Sequence, residues 1–393
     1  MEPLGWVDEE LARLERSDLL RTLPPPLRAA GATVRLDGRS IVNFSSNDYL
    51  GLASDERLIA AAAQACQDQG VGRGASPLVS GRAESHDYLE RRLAAFFRTE
   101  AALLFPTSFA ANAGIISALV EQGDAIYGDA KNHASIIDGC RLARAERHIY
   151  PHRDVAVLEQ LLREGKHYRR RLIVTDSLFS MDGDLAPLLQ IAALAEQYQA
   201  MLMVDEAHAI GVFGEHGRGV VEHLAAADPL LESRVHIRVG TFAKSLGSAG
   251  GFVCTSAALV KWLSNRARTY VFSTAQPAAV GAAGAVALDI VDAEPERRIL
   301  LLEKAARLRC RLHERGWDTG TSASQIVPLR IGSPARTMQL SQRLRERGFW
   351  APGIRPPSVP DHDSLIRLGI TAAHTDEMLD SLVEALDEAR EPA

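Results

Sequence analysis

Short apolar runs of strand length alternate with helix-length stretches through the middle of this chain. That alternation narrows the available folds more than any other feature. The runs are Leu103-Leu-Phe105, Leu172-Ile-Val-Thr175, Met201-Leu-Met-Val204, Val235 to Gly240 and Gly250 to Thr255, with helices such as Ala186 to Gln199 between them. A strand, a helix and a further strand return the chain in parallel, and the helices then cover both faces of the sheet. The expected fold is α/β, with one large, mainly parallel sheet domain.

At 393 residues the chain exceeds one small core, so further domains are expected at its ends. The N-terminal stretch predicts a helix from about Asp8 to Arg21 on Leu11, Leu14 and Leu19, stopped by Pro24-Pro-Pro26. A hairpin follows, Thr33 to Leu36 and Ser40 to Phe44, around Asp37-Gly38. Composition shifts near Asp289. A charged helix from Glu294 to Arg315, a strand from Ile326 to Ile331 and a helix opened by Ser333-Pro334 and closed by Gly348 come next. A strand over Leu365 to Ile370 and a helix with Leu379, Leu382, Val383 and Leu386 on one face complete an α+β pattern. The expected division is an N-terminal segment 1–50, a large α/β domain 51–288 and a smaller α+β domain 289–393.

Composition excludes several classes. Hydrophobic content of 46% and charged content of 24% are those of a globular protein, and a net charge of −6 argues against nucleic-acid binding. The cysteines (Cys66, Cys140, Cys254, Cys310) show no close pairing, which fits a reducing cytoplasm and excludes a zinc ribbon. The acidic N-terminus lacks an apolar signal core. The weakly charged stretch Ala101 to Val120 contains Pro106, Thr107, Ser108, Asn112 and Ser117, so strand, turn and helix explain it better than a membrane span.

Two strand ends carry reactive side chains. Met201 to Val204 runs into Asp205-Glu-Ala-His208, and the next strand delivers Thr241-Phe-Ala-Lys244. A lysine for a Schiff base and a carboxylate for a ring nitrogen together suit pyridoxal phosphate (PLP). A nucleotide-hydrolase reading competes, because Asp205 to His208 spells a helicase box and Ala243-Lys244-Ser245 resembles the end of a phosphate loop. It fails on spacing: Ala243 and Arg238 stand where that loop needs glycines, and the acidic box precedes the lysine.

Other stretches suit the same cofactor. Phe105 to Asn112 links strand to helix, and the helix start with Thr107, Ser108 and Phe109 offers amides and hydroxyls to a phosphate. His133, in the loop Gly128 to Ser135, can stack on a planar ring. His208, three residues after Asp205, and Ser180 can face the ring oxygen. Arg355, on the proline-stiffened run Gly353 to Pro360, suits a bidentate carboxylate grip.

These residues resemble the α-oxoamine synthases, PLP enzymes of fold-type I. The matching stretches are Asn43 to Gly51, Leu78-Val-Ser-Gly81, Asn132 to Asp138, Phe179 to Asp184, Asp205 to His208, Thr241 to Lys244, Phe272-Ser-Thr274 and Ile354 to Pro360, spread over nearly the whole chain. Leu78 to Gly81 and Arg355 to Pro360 resemble the branch that joins L-alanine to a pimeloyl thioester, carried by coenzyme A or by acyl carrier protein. Glycine-using members tend to differ there. Ser108 stands where the family usually has glycine, Pro77 where it has a basic residue, and Ser358 where it has threonine.

The resemblance implies a cytoplasmic homodimer with shared active sites, in which Ser76 and Thr274 reach the phosphate of the neighbouring subunit's cofactor. It implies Lys244 as the Schiff-base lysine and general base, Asp205 as the partner of the ring nitrogen, and His133 as the stacking group. Ser108, Phe109, Ser180, His208 and Thr241 complete the cofactor set. Arg355, Asn47 and Ser358 are implied at the substrate, with Arg21 gripping the far carboxylate of the acyl chain. The alternatives are a sister synthase using glycine or serine, or a non-catalytic partner subunit. Retention of Lys244, Asp205 and His133 argues against the second.

Overall fold

The computed structural model describes residues 3–23, 28–36 and 38–390. Pro24 to Pro26 and Asp37, expected as helix stop and turn, lie outside the described residues. The chain forms two compact units.

The larger unit spans residues 47–180 and 184–301. Its sheet has seven strands: β1 (Ala101–Phe105), β2 (Ala125–Asp129), β3 (Glu146–Tyr150), β4 (Arg171–Asp176), β5 (Met201–Asp205), β6 (Ile237–Thr241) and β7 (Gly251–Thr255). The spatial order is β1-β7-β6-β5-β4-β2-β3. Pairs from β6 to β3 are parallel, while β7 runs antiparallel to both β1 and β6. The expected mainly parallel α/β sheet is therefore present. Every residue of β2, β6 and β7 is buried, as it must be when both faces are covered. On the edge strand β3, Glu146 and Arg147 remain exposed, which protects an open edge from pairing.

Leu103, Phe105, Ile115, Ile116, Val174, Met203, Val239 and Val253 belong to one buried cluster between sheet and helices. Burial of each large side chain contributes about 1.5–3 kcal/mol. Parallel strands end on one side of the sheet, so the residues after β2, β4, β5 and β6 gather there.

The smaller unit comprises residues 1–46, 181–183 and 302–393. These boundaries cut the chain elsewhere than at 50 and 288. The N-terminal segment and the C-terminal region share one unit, because strand Phe349–Trp350 pairs in parallel with Arg39–Asn43 of the N-terminal hairpin. A second, antiparallel sheet holds Ile326–Gly332, Ser364–Gly369 and Gly353–Ile354. Ser333 caps the helix Pro334–Glu346, and the last helix, Asp376–Ala389, buries Leu379, Leu382, Val383 and Leu386 as expected.

The first helix is shorter than its pattern suggests, Trp6–Arg16 instead of 8–21. Asp18 adopts φ 57°, and the amides of Leu19 and Leu20 both turn back to the Leu14 carbonyl, so the helix closes there. Among the described residues no helix is long and apolar enough to cross a membrane.

Candidate active site

Asp205 is the last residue of β5 and is paired in register with Asp176, the last residue of β4. Both are 4% exposed. Each oxygen of Asp205 has a donor: the Ala207 amide lies 2.8 Å from Oδ1 and Asn112 Nδ2 lies 2.7 Å from Oδ2. These donors fix the orientation of the carboxylate. Burial, and then the charge of Asp205, push Asp176 well above its ordinary range. Of this aspartate pair, Asp176 is the one whose carboxyl is driven toward the protonated form.

His133 follows β2 and caps the helix Ala134–Leu142, its Nδ1 accepting the Ser135 amide at 3.2 Å. Its own amide donates to Asp176 Oδ2 at 2.7 Å. The residue is exposed, yet its Nδ1 side packs on buried groups. Desolvation there lowers its pKa, Asp205 opposes, and the charge of Lys244 adds to the lowering. Lys244 acts on Asp176 as well, so the lysine, both aspartates and the histidine share one electrostatic neighbourhood.

Lys244 is half-buried in a tight turn after β6. Thr241 Oγ1 donates to the Gly250 carbonyl at 2.9 Å and accepts the Ala243 amide at 3.1 Å. The Gly247 amide closes on the Lys244 carbonyl at 2.9 Å. Gly247 has φ 61°, a conformation that favours glycine.

His208 is buried, with Nδ1 2.8 Å from the Tyr49 hydroxyl, which donates to Asn47 Oδ1 at 3.0 Å. Asn47, Tyr49 and His208 are thus brought together. Glu206 is wholly buried and accepts from Ser177 Oγ at 2.6 Å and from the Val220 and Val221 amides at 2.9 Å. It locks the segment that follows Asp205. Ser180 is half-buried at the end of the segment that begins with Ser177.

His152 lies between Asp129, at 2.9 Å, and Asp184, at 3.1 Å, so it ties the segment before His133 to the one after Ser180. Burial opposes its charge, but hydrogen bonds to the two carboxylates outweigh burial, and its pKa is pushed up to about 9.

At the same end of the sheet Thr107 caps the helix Ser108–Leu119, its Oγ1 accepting the Ala110 amide at 3.0 Å. The helix frame leaves the amides of Ser108 and Phe109 without an intrahelical acceptor. Gly251 lies directly beneath them, and a Cβ there would meet Ser108 N at 2.4 Å. Phe109 is 44% exposed. Ser76 and Thr274 lie on neighbouring loops joined by a 2.9 Å bond from the Ala275 amide to the Ala75 carbonyl. Lysine, buried carboxylate, flat imidazole and open helix amides are the set that PLP needs, so the residues fit that group.

The smaller unit holds the arginines. Arg355 is buried, and its Nη2 donates to the Leu20 carbonyl at 2.5 Å. Arg21 Nη2 reaches the Arg355 carbonyl at 3.2 Å, the Pro356 carbonyl at 3.1 Å and Ser358 Oγ at 3.3 Å. Burial, and then the charge of Arg21, lower the pKa of Arg355. Arg21, Arg355 and Ser358 therefore form one cluster.

The family model for aminotransferase class I and II matches residues 39–386. The chain belongs to the class I and II aminotransferase family. Within this family it is 46% identical over 383 residues to the 8-amino-7-oxononanoate synthase of Anaeromyxobacter dehalogenans, covering 98% of this chain and 95% of that one. It is 47% identical over 380 residues to the enzyme of that name from Geobacter sulfurreducens, covering 96% of each. Among solved structures, serine palmitoyltransferase from S. paucimobilis with bound PLP-myriocin aldimine has a TM-score of 0.91 at 30% identity, covering 98% and 97% of the two chains. The 8-amino-7-oxononanoate synthase of Francisella tularensis, at 24% identity and TM-score 0.76 over 88% and 97%, shares the fold. The resemblance to the α-oxoamine synthases drawn from the motifs holds.

Sequence reasoning missed Asp176, Asn112, Ser135, Tyr49 and Glu206 as site members. Asp176 had a signal: it follows Leu172 to Thr175 as Asp205 follows Met201 to Val204. Ser135 stood inside the Asn132 to Asp138 stretch, two residues from His133, whereas Asn112 had no signal because Asp205 lies 93 positions away.

Proposed function

We propose that the chain catalyses the reaction of 8-amino-7-oxononanoate synthase: PLP-dependent condensation of L-alanine with a pimeloyl thioester, releasing carbon dioxide and the thiol, in biotin biosynthesis. The observation that carries this reading is the doubly hydrogen-bonded Asp205, which together with Lys244 acts on His133. Relatives of that name at 42–49% identity over nearly the whole chain support the choice of reaction.

Bound PLP supplies an electron sink for the pair left when the alanine Cα–H bond breaks. Lys244 holds the cofactor and takes the Cα proton. Asp205 would keep the ring nitrogen protonated, and Asn112 and the Ala207 amide hold its carboxylate in place. His133 would stack on the ring, while His208 and Ser180 would serve its oxygen. Ser108, Phe109 and Thr241 serve the phosphate end. Arg355 holds the alanine carboxylate with Asn47 and Ser358 assisting, and Arg21 grips the far carboxylate of the acyl chain. These residue roles follow the motif correspondence.

A homodimer is part of the proposal. Ser76 and Thr274 share their surface with exposed Leu78, Val79 and Phe272, and burial of that apolar patch against a second copy would bring both hydroxyls to its cofactor. The cysteines are free, in keeping with a cytoplasmic setting. A sister activity with serine is the second reading, favoured by the likeness to serine palmitoyltransferase.

The test is purified protein with pimeloyl-CoA and each of alanine, glycine and serine. Alanine-dependent release of thiol and carbon dioxide is expected. Faster turnover with glycine or serine would move the chain to a sister activity, and no turnover with pimeloyl-CoA or pimeloyl-acyl carrier protein would overturn the proposal.

A further inference from the structure

Asp205 and His133 are joined by an unbroken chain of hydrogen bonds. Asn112, wholly buried, sends one Nδ2 hydrogen to Asp205 Oδ2 at 2.7 Å and the other to Ser135 Oγ at 2.9 Å. Ser135 Oγ in turn lies 2.7 Å from His133 Nδ1. The polarity of every link is fixed by chemistry. An amide NH2 only donates, so Asp205 accepts. The reversed amide would set Asn112 Oδ1 against a carboxylate oxygen, two acceptors in contact. Ser135 Oγ accepts from Asn112 and keeps its own hydrogen and a second lone pair, so the direction of its link to His133 is set by what else meets Nδ1. The Ser135 backbone amide already donates to His133 Nδ1 at 3.2 Å, and a backbone N–H cannot reverse. Nδ1 therefore faces donors only and carries no hydrogen.

We infer that Asn112 and Ser135 are positioning residues that hold His133 as the neutral tautomer with its proton on Nε2. The helix start that His133 caps presents its positive dipole end to the ring, which also disfavours the imidazolium. The charged and titratable groups around it are Asp205 and Lys244, which act through space, and Asp176, which takes its amide. Two consequences follow. His133 is a hydrogen-bond donor through Nε2 and not a proton acceptor at Nδ1. It also adds no positive charge beside the ring on which it stacks, so the electron-sink strength of that ring is set through Asp205. The stacking part of this inference rests on the proposed function, whereas the tautomer does not.

The test is long-range 1H–15N correlation on 15N-histidine-labelled protein, with and without PLP. A His133→Asn variant identifies the His133 signals. The expected result near neutral pH is the Nε2–H pattern in both forms. Ser135→Ala should shift His133 toward a mixture of tautomers and lower turnover about two- to tenfold, the effect of one hydrogen bond. Ser135→Thr, which keeps the hydroxyl, should restore both. An Nδ1–H or imidazolium pattern in the unaltered protein would overturn the inference, as would an unchanged pattern in Ser135→Ala. A negative condensation assay would leave the tautomer result standing, so the two failures are distinguishable.

Discussion

The sheet-end cluster of the larger unit and the arginine cluster of the smaller unit are both charged, but they are satisfied in different ways. Around Asp205 the partners are side chains and amides that stay in place: Asn112, the Ala207 amide and, through Ser135, His133. Around Arg355 and Arg21 the acceptors are neutral: the carbonyls of Leu20, Arg355 and Pro356 and the Ser358 hydroxyl. The first cluster is organised before any ligand arrives, so it suits a resident group. The second holds its cations with neutral acceptors, and a carboxylate would make stronger, charge-assisted bonds in their place. Pre-organised partners and exchangeable partners separate what is held through the cycle from what comes and goes.

The largest effect expected from this contrast is at Lys244. Lys244→Ala should reduce turnover by more than about 10⁴-fold, since in the proposed function Lys244 is both the anchor and the base. Non-covalent PLP binding should persist, read by equilibrium dialysis. Substantial turnover in this variant would break the assignment of the larger unit.

Asp205→Asn comes next. A neutral amide cannot hold a proton on the ring nitrogen, and a fall on the order of 10²–10³-fold in kcat is expected with little change in the KM for alanine. A rise in KM alone would erase the distinction between the two clusters.

Arg355→Ala should do the opposite. Alanine binding should weaken by roughly 2–5 kcal/mol while PLP affinity is kept, and Arg355→Lys should restore little of it because an ammonium lacks the planar fork. Titration of each variant with alanine, followed by cofactor absorbance, measures this. Loss of PLP binding would place Arg355 with the cofactor set.

The smallest effect is on stability. The pKa of His152 is raised to about 9 from the ordinary histidine value of 6.5. Its bonds to Asp129 and Asp184 therefore contribute fully below about pH 6.5 and fade as pH rises through about 9. The contribution is roughly 1–3 kcal/mol. Thermal unfolding of His152→Gln should show a deficit at pH 6 that shrinks by pH 10. A deficit independent of pH would mean packing against Phe179, at 4.4 Å between rings, rather than charge.

Much of the larger unit was legible because its strands are dense apolar runs and its reactive groups sit at their ends. Asp205 and Lys244 stand out without any three-dimensional knowledge. The partners that tune them do not, because Asn112 reaches Asp205 across 93 positions and no periodicity encodes that. The N-terminal helix was overestimated since Leu19 continues the apolar pattern, while the backbone had already turned at Asp18. The union of the N-terminal hairpin with residues 349–350 depends on a two-residue strand, too short to leave a pattern.

The central claim is that Lys244 holds the cofactor beside Asp205. Borohydride reduction of PLP-loaded protein, followed by peptide mass spectrometry, tests it most directly. The expected result is a single pyridoxyl adduct on the peptide bearing Lys244, with none in Lys244→Ala. An adduct on Lys131, Lys166, Lys261 or Lys304 instead, or a protein that takes up no PLP, would contradict it.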